Sequence, residues 1–250
     1  EAMPLERLTM LVVPKEGMPQ LLVPILEAPR VAEHPEVFGL LPWSDGQDAV
    51  ALAAGLIKGA KKVAVGDQMW AGFLVDLVAA LPGTEFCRAS AVTAPIRMVK
   101  DAAEIAALRQ AGAAVDRIIA DLQAGLVPLV GRTEADVAAE IARRIRLEGH
   151  YKVNFTIVAS GPNAASPHHD PTDRVIQHGE NVLFDIGGTM AGPNGVGYCS
   201  DITRCVHIGE PPAEFAELYA VLHASHAAGV AAATVGTPCQ DVDAAARKVI

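Results

Sequence analysis

The chain is poor in aromatic residues, charged residues and cysteine, and each shortage excludes a class of protein. Aromatic residues make up 4% of the 250 residues, charged residues 20% and hydrophobic residues 51%, which is the composition of a folded protein and not of a disordered one. The scarcity of aromatics favours helices packed on sheets over an aromatic-rich β-sandwich. The four cysteines form no C-x-x-C pair, which predicts free thiols in a reducing cytoplasm and neither a disulfide framework nor a zinc knuckle.

Two further absences concern partners. The sequence has no run of eighteen apolar residues, so no membrane span is predicted. It also has no cluster of lysines and arginines, and its net charge is −9 with a pI near 5.3. The electrostatic field of a protein with this negative charge repels duplex nucleic acid and anionic membranes. We therefore expect a cytoplasmic protein that binds neither.

Because Glu1 is no initiator and strand-like residues begin at Leu8, we also expect the chain to start inside a domain.

The first third alternates short apolar runs with turn signals. Two strands joined by a turn are predicted at Leu8–Pro14 and Gln20–Leu26. A helix at Gln47–Ile57, a strand at Lys61–Asp67 and a second helix at Trp70–Leu81 are predicted to follow. This order predicts a small α/β domain over residues 1–93. A boundary is predicted near Thr93–Lys100, where Pro95 is expected to break regular structure.

Long helices and then strands are predicted after this boundary. A helix is expected from Asp101, and a second one after the cap residue Thr133. The first helix repeats apolar residues at helical spacing, so one face is expected to pack on a core. These residues are Ile105, Leu108, Ala111, Val115, Ile118, Ile119 and Leu122. Three strands follow, with the sequences FTIVAS, NVLFDIGG and YCSDITRCVHIG. Helices followed by sequential strands predict an α+β fold with antiparallel pairing.

Two aspartates lie in these strands. Asp185 interrupts an apolar strand, where a lone carboxylate is costly to bury and needs a cation, a hydrogen-bond network or a raised pKa. Asp201 follows sixteen positions later in the next predicted strand. If a hairpin joins the strands, the register can place both carboxylates on one face, within reach of one pair of metal ions. Oxygen ligands suit divalent ions such as Mn²⁺, and two ions roughly 3.5–4 Å apart suit amide hydrolysis.

Each aspartate also has a structural interpretation, as a turn cap or as a partner of nearby backbone groups, and the pattern leaves both open. The loop between the first two strands contains His168 and His169. A histidine there can hydrogen-bond a substrate carbonyl or transfer a proton, or it can be an ordinary surface residue. Because adjacent side chains diverge, we expect at most one of them to face a pocket.

These motifs resemble a known family. IVASG with a following PH, then D-I-G, then S-D-I-T-R occur in the order found in prolidases and Xaa-Pro aminopeptidases, and RMVKDAAEIAALRQAG resembles the segment that opens their catalytic domain. The resemblance implies an incomplete pita-bread catalytic domain over residues 94–250 and a partial creatinase-like α/β domain over residues 1–93. The expected fold class is therefore α+β.

The resemblance also implies roles for individual residues. Asp185 and Asp201 match two metal ligands, the second one bridging both ions. His168 matches the active-site histidine that contacts substrate, and Thr203 is expected to support the bridging ligand. The implied activity is hydrolysis of Xaa-Pro bonds in dipeptides or short peptides, with proline at P1′ and two divalent ions that activate a bridging water. Mn²⁺ is expected first, with Co²⁺ or Zn²⁺ as alternatives. Dimers are common in the family, so a homodimer is the implied assembly.

Three departures from the family pattern modify this expectation. The segment between Asp185 and Asp201 is longer than usual, and Cys205 stands where a threonine is usual. The family's remaining ligands, one histidine and two glutamates, are expected beyond Ile250, so residues 1–250 alone are expected to have little or no peptidase activity. Two alternatives stay open, a creatinase-like hydrolase or lyase and a non-catalytic binding protein of the same fold. Retention of both aspartates argues against the metal-free creatinase-like branch.

Overall fold

An apolar hairpin opens the first sheet. Strand β1 (Met10–Val12) pairs antiparallel with β2 (Gln20–Pro24), as predicted. A third strand, β3 (Gly39–Trp43), pairs parallel with β2. The sequence does not predict β3, because GLLPW combines glycine and proline and shows no alternation. The computed structural model describes residues 6–250, apart from the side chain of Asn194.

Two helices and a second sheet follow. They are α1 (Ala49–Ile57), β4 (Lys62–Val65), α2 (Ala71–Ala80) and β5 (Glu85–Arg88), with β4 and β5 parallel. The predicted helices and β4 are confirmed, whereas β5 was missed because EFCR is short and charged at both ends. Leu22, Trp43 and Leu77 are buried in a shared core. The Trp43 indole donates a hydrogen bond to the Leu8 carbonyl at 3.0 Å.

The expectation that Pro95 breaks regular structure was wrong. It lies inside helix α3 (Ser90–Met98). A proline in a helix removes one backbone donor, and a helix of nine residues keeps its remaining bonds. The chain forms two compact units, one up to Val99 and one from Lys100 onward. The predicted domain limits, 1–93 and 94–250, stay predictions.

Two capped helices begin the second unit. Helix α4 (Ala102–Gln123) starts with a capping box, in which Asp101 accepts from the Glu104 amide and Glu104 accepts from the Asp101 amide, each at 2.8 Å. Helix α5 (Glu134–Leu147) is capped by Thr133. Both predicted helix starts are confirmed.

The predicted apolar face of α4 is correct except at its beginning. Ile105 is 40% exposed, because it lies in the first turn and the buried residues of the helix begin at Ala111. From Ala111 to Leu122 the buried residues keep helical spacing, as expected for a helix with one face on a core.

An antiparallel sheet occupies the centre of the second unit. Its strands are β6 (His150–Ser160), β7 (Asn181–Ala191), β8 (Gly197–Cys199) and β9 (Ile202–His207). Strand β7 pairs antiparallel with the other three, which confirms the predicted α+β fold. Along β7, Val182, Phe184 and Ile186 are fully buried in the core that also includes α4 and α5 residues. Residues of β7 between them, including Asp185, point to the opposite face because side chains alternate along a strand.

The third predicted strand is divided in two. Ser200 and Asp201 lie between β8 and β9 and belong to neither, so the placement of Asp201 inside a strand was wrong. The pairs Thr189–Cys199 and Ile186–Ile202 nevertheless share one register, which puts Ser200 opposite Gly188 and Asp201 opposite Gly187.

The two glycines explain how the chain passes this break. A Cβ atom at Gly187 would collide with the Ser200 carbonyl oxygen and would lie 2.8 Å from Phe155 Cζ. At Gly188 it would lie 2.8 Å from the Lys152 carbonyl oxygen. The Ser200 amide donates to the Gly188 carbonyl at 2.9 Å. Gly187 therefore lets the Ser200–Asp201 segment lie close to β7, whereas Gly188 leaves room for the backbone of β6 at Lys152.

Helices α6 (Ala213–Ala232) and α7 (Cys239–Arg247) end the described chain and pack on each other, with Ser225 Oγ donating to the Ala246 carbonyl at 2.9 Å. None of the helices within residues 6–250 combines the length and the apolar character that crossing a membrane requires. All four cysteines are free, as predicted.

Substitution of Gly187 tests the close approach. We expect Gly187→Ala to lower the free energy of unfolding by about 1–3 kcal/mol, the usual cost of overpacking, because the Ser200 backbone must move. Gly112→Ala is the matched control, since Gly112 lies inside α4 with no atom within 4 Å of an added Cβ. It should stabilise the protein by up to about 1 kcal/mol. Equal effects of the two changes in urea unfolding would contradict the packing argument.

Candidate metal and substrate site

Asp185 and Asp201 share one face of the antiparallel sheet. Asp185 pairs with Thr203 across β7 and β9, and the common register puts Asp201 opposite Gly187. Because residues two apart in a strand point to the same side, both carboxylates lie on the face opposite the helices. Diagonal neighbours of this kind have Cα atoms about 7–8 Å apart. The predicted hairpin geometry is thus present, although Asp185 is half-buried and not enclosed in an apolar interior.

Thr203 contacts one of the two carboxylates directly. Its hydroxyl donates to Asp185 Oδ1 at 3.0 Å. The resemblance suggested support of Asp201, whereas the bond in this structure goes to Asp185. Thr203 therefore fixes one oxygen of Asp185, and no side chain among the described residues forms a hydrogen bond with Oδ2.

A pocket of about 560 Å³ lies over this face, and its titratable lining residues are His168, His169, Asp170, Asp185 and Asp201. The expectation that at most one of the two histidines faces a pocket was wrong. His168 has a φ of +57°, in the left-handed region that non-glycine residues rarely adopt. This turn in the backbone lets two consecutive side chains line the same pocket.

Glu134, the first residue of helix α5, contacts the loop that carries His168 and His169. The sequence analysis did not identify this residue. Its side chain is fully buried, and six nitrogen or oxygen atoms lie within hydrogen-bonding distance of it. They are the amide (2.7 Å) and hydroxyl (2.8 Å) of Ser160, the Asn163 side-chain amide (3.1 Å), His169 Nε2 (2.9 Å), and the amide (3.2 Å) and hydroxyl (2.8 Å) of Thr172. Glu134 thus ties Ser160, which precedes the two histidines, and Thr172, which follows them, to helix α5.

The protonation of Glu134 follows from these contacts. Burial by itself raises the pKa of Glu134, but the hydrogen bonds from His169, Ser160 and Thr172 outweigh it and hold the pKa well below its usual range. The sequence shows Glu134 only as an acid in the first turn of a helix, which is where the helix dipole favours one. Its partners lie 26 to 38 residues away, so no local pattern could reveal them.

Three further contacts involve Arg174 and His150 and lie near the pocket. Arg174 donates to Ser160 Oγ at 2.6 Å and pairs with Glu180, and its guanidinium lowers the pKa of Glu180. His150 is buried, and its ring contacts Ser200 Oγ at 2.9 Å next to Asp201. Burial lowers the pKa of His150, which favours the neutral form of the ring.

The chemistry of the two aspartates fits part of a divalent metal site. No lysine or arginine lines the pocket, and no described cationic side chain pairs with either carboxylate. Hard carboxylate oxygens on one face suit ions such as Mn²⁺. Within residues 6–250, no group of three or more His, Cys, Asp or Glu side chains is arranged to hold a metal ion. The two aspartates alone would therefore supply only part of the donors that a divalent ion needs.

The chain belongs to metallopeptidase family M24, whose sequence profile matches residues 106–250, while the profile of the creatinase/prolidase N-terminal domain matches residues 3–99. It is 44% identical over 249 residues to the probable dipeptidase PepE of Mycobacterium tuberculosis, covering 98% of this chain and 64% of that protein. The chain thus spans less than two thirds of the length of this relative. The predicted family is confirmed.

Solved structures agree with this assignment. The crystal structure of dipeptidase PepE from Mycobacterium ulcerans matches with a TM-score of 0.83 and 42% identity, covering 99% of this chain and 66% of that one. A prolidase from Thermococcus sibiricus matches with a TM-score of 0.87 and 32% identity, covering 98% of this chain and 66% of that one. The predicted pita-bread fold class with its α/β amino-terminal part is confirmed.

The depressed pKa of Glu134 predicts a pH-dependent stability. In the unfolded chain a glutamate titrates near about 4.3, so the buried carboxylate stabilises the fold above that pH, and this contribution is lost as the pH falls further. We expect Glu134→Gln to lower the free energy of unfolding by about 3 kcal/mol at neutral pH. The difference in this free energy between the variant and the unmodified protein should become smaller below about pH 4. Urea unfolding at a series of pH values measures both the loss of stability and its dependence on pH.

Asp136→Asn is the control for this experiment, because Asp136 is an exposed acid in the same helical turn. Its substitution should cost less than about 1 kcal/mol. The assigned ionisation of Glu134 would be contradicted if the difference in the free energy of unfolding between Glu134→Gln and the unmodified protein stayed constant down to low pH.

Proposed function

We propose that these residues are the aspartate-bearing part of a metal-dependent peptidase that hydrolyses Xaa-Pro bonds of dipeptides or short peptides. The observation that carries the proposal is the placement of Asp185 and Asp201 on one sheet face, in the same pocket as His168. The names of the relatives, dipeptidase and prolidase, support the substrate class. The proline preference and the cytoplasmic location rest on the family resemblance and the composition.

The proposed cofactor is a pair of divalent ions, Mn²⁺ first and Co²⁺ or Zn²⁺ as alternatives. Bound ions of this kind supply Lewis-acid activation of water and polarisation of a carbonyl group. Asp185 would bind through Oδ2 while the Thr203 hydroxyl orients the carboxylate through Oδ1. Asp201 would bind from the segment held against Gly187. We attribute the remaining donors to groups outside the described residues.

The chain's own side chains would bind and orient the peptide. A pocket of about 560 Å³ is within the usual size for a small ligand. His168 would donate a hydrogen bond to the scissile carbonyl, or carry a proton to the leaving amine. Three carboxylates and no lysine or arginine line the pocket, so its field attracts metal ions and the ammonium end of a peptide.

Metal binding tests the role of the aspartates. We expect the complete gene product to bind Mn²⁺ in calorimetric or electron paramagnetic resonance titrations, because Asp185 and Asp201 alone would supply only part of the donor set. Asp201→Ala should weaken binding on the order of 100-fold, and Thr203→Val about tenfold, the usual cost of losing an orienting partner. The control is Asp173→Asn, which removes an exposed acid that does not line the pocket. Equal affinities in Asp201→Ala and Asp173→Asn would exclude the proposed site.

Peptide hydrolysis tests the activity itself. The complete gene product should hydrolyse Xaa-Pro dipeptides faster than matched Xaa-Ala dipeptides when Mn²⁺ is present. Chelation should abolish turnover, and Asp201→Ala should reduce kcat by at least about 100-fold, because the ion that activates water would be lost. Turnover that persists under chelation would rule out the metal mechanism. Mn²⁺ and peptide binding without any turnover would favour a non-catalytic protein of the same fold.

A further inference from the structure

His169 lies beside the residue that the family resemblance assigns to the site, and its environment is more restrictive than that of His168. Its side chain is 13% exposed, and its Nε2 atom contacts Glu134 Oε2 at 2.9 Å. The ring also lines the pocket together with Asp185 and Asp201. His169 therefore connects a buried carboxylate with the pocket.

The contacts of Glu134 decide which ring nitrogen carries the hydrogen. Oε1 accepts from Ser160 and Asn163, and Oε2 accepts from Asn163 and Thr172 and lies 2.9 Å from His169 Nε2. With both oxygens accepting several donors, no position is left for a proton on the carboxyl group. An ionised carboxylate can only accept. His169 Nε2 must therefore be the donor, and the neutral ring is the Nε2–H tautomer with its lone pair on Nδ1.

The other ring nitrogen is available to a ligand. Within residues 6–250, no hydrogen bond occupies His169 Nδ1, and the atom is not among the enclosed polar atoms without partners, which belong to Asn181 and His207. Nδ1 therefore reaches solvent from a ring that lines the pocket. A carboxylate behind the ring fixes its orientation, as in other carboxylate–histidine pairs.

We propose that His169 is a second substrate-contacting histidine of this pocket, held by Glu134 as the Nε2–H tautomer so that Nδ1 accepts a hydrogen bond from the amino group of a bound peptide. This inference rests on the proposed peptidase function. Glu134 acts through His169 and is a positioning residue. An amino group is the fitting donor, because carboxylates dominate the pocket and no lysine or arginine competes for Nδ1.

The tautomer can be measured on the unmodified chain. In ¹⁵N-detected imidazole spectra at a pH above the histidine titration, we expect His169 to show a protonated Nε2 and an unprotonated Nδ1, with the signals assigned by their loss in His169→Gln. In Glu134→Gln the side-chain amide can present its NH₂ group to the ring, so we expect a shift toward the Nδ1–H form. Asp136→Asn should leave the spectrum unchanged. An Nδ1–H tautomer in the unmodified chain would overturn the proposal.

Ligand binding tests the contact with the amino group. Alanyl-proline should shift the His169 Nδ1 resonance, whereas N-acetyl-alanyl-proline should not. His169→Phe should weaken alanyl-proline binding about tenfold, the effect of one lost hydrogen bond, and His169→Gln should recover part of it through an amide that keeps a donor and an acceptor. Equal binding of the free and acetylated peptides would overturn the proposal.

The outcomes separate this inference from the proposed function. In the complete gene product, Mn²⁺ affinity should depend on Asp201 and should be unchanged in His169→Phe, so failure of that protein to bind Mn²⁺ contradicts the metal site and leaves the tautomer result standing. If Glu134→Gln does not fold, the tautomer of the unmodified chain and the peptide binding of the two His169 variants still test the proposed role of His169. Loss of Mn²⁺ affinity in His169→Phe equal to that in Asp201→Ala would show that His169 supports the metal site and would overturn its assignment to the peptide.

Discussion

The register between β7 and the segment that returns along it is the constraint on which the site depends. Asp185 and Asp201 are sixteen positions apart, and they share a face because one antiparallel register runs through β8, the Ser200–Asp201 break and β9. A shift by one residue would turn the side chains of one strand to the other face. Gly187 keeps this register possible, since any Cβ there would collide with the Ser200 carbonyl.

A buried carboxylate provides the second constraint, on the other side of the pocket. Loops that carry functional side chains need a rigid attachment, and Glu134 supplies it by accepting bonds from Ser160, Asn163, His169 and Thr172. Burying an ionised group is costly unless it is fully bonded. The cost is offset only when the loop is in place, so the carboxylate selects one loop conformation, including the left-handed backbone at His168.

How much the sequence predicted depended on the range of the interaction. Helix starts at Asp101 and Thr133 were predicted correctly, because a cap involves residues three positions apart. The two-strand hairpin in the first unit was also correct. Strands β3 and β5 were missed, since neither has a local signature, and Pro95 was misjudged because a short helix can tolerate one missing donor. The roles of Asp185, Asp201, His168 and Thr203 stay predictions that the geometry supports.

The sequence by itself determined the family, the fold class and the candidate site residues, because ordered motifs and apolar periodicity are local properties of the chain. Tertiary structure decided which of those residues meet. It placed both histidines in one pocket, directed the Thr203 hydroxyl to Asp185, and brought Glu134 to His169 from 35 residues away. Contacts of this kind depend on register and on the burial of a charge, and both are set only when helix, strand and loop pack together.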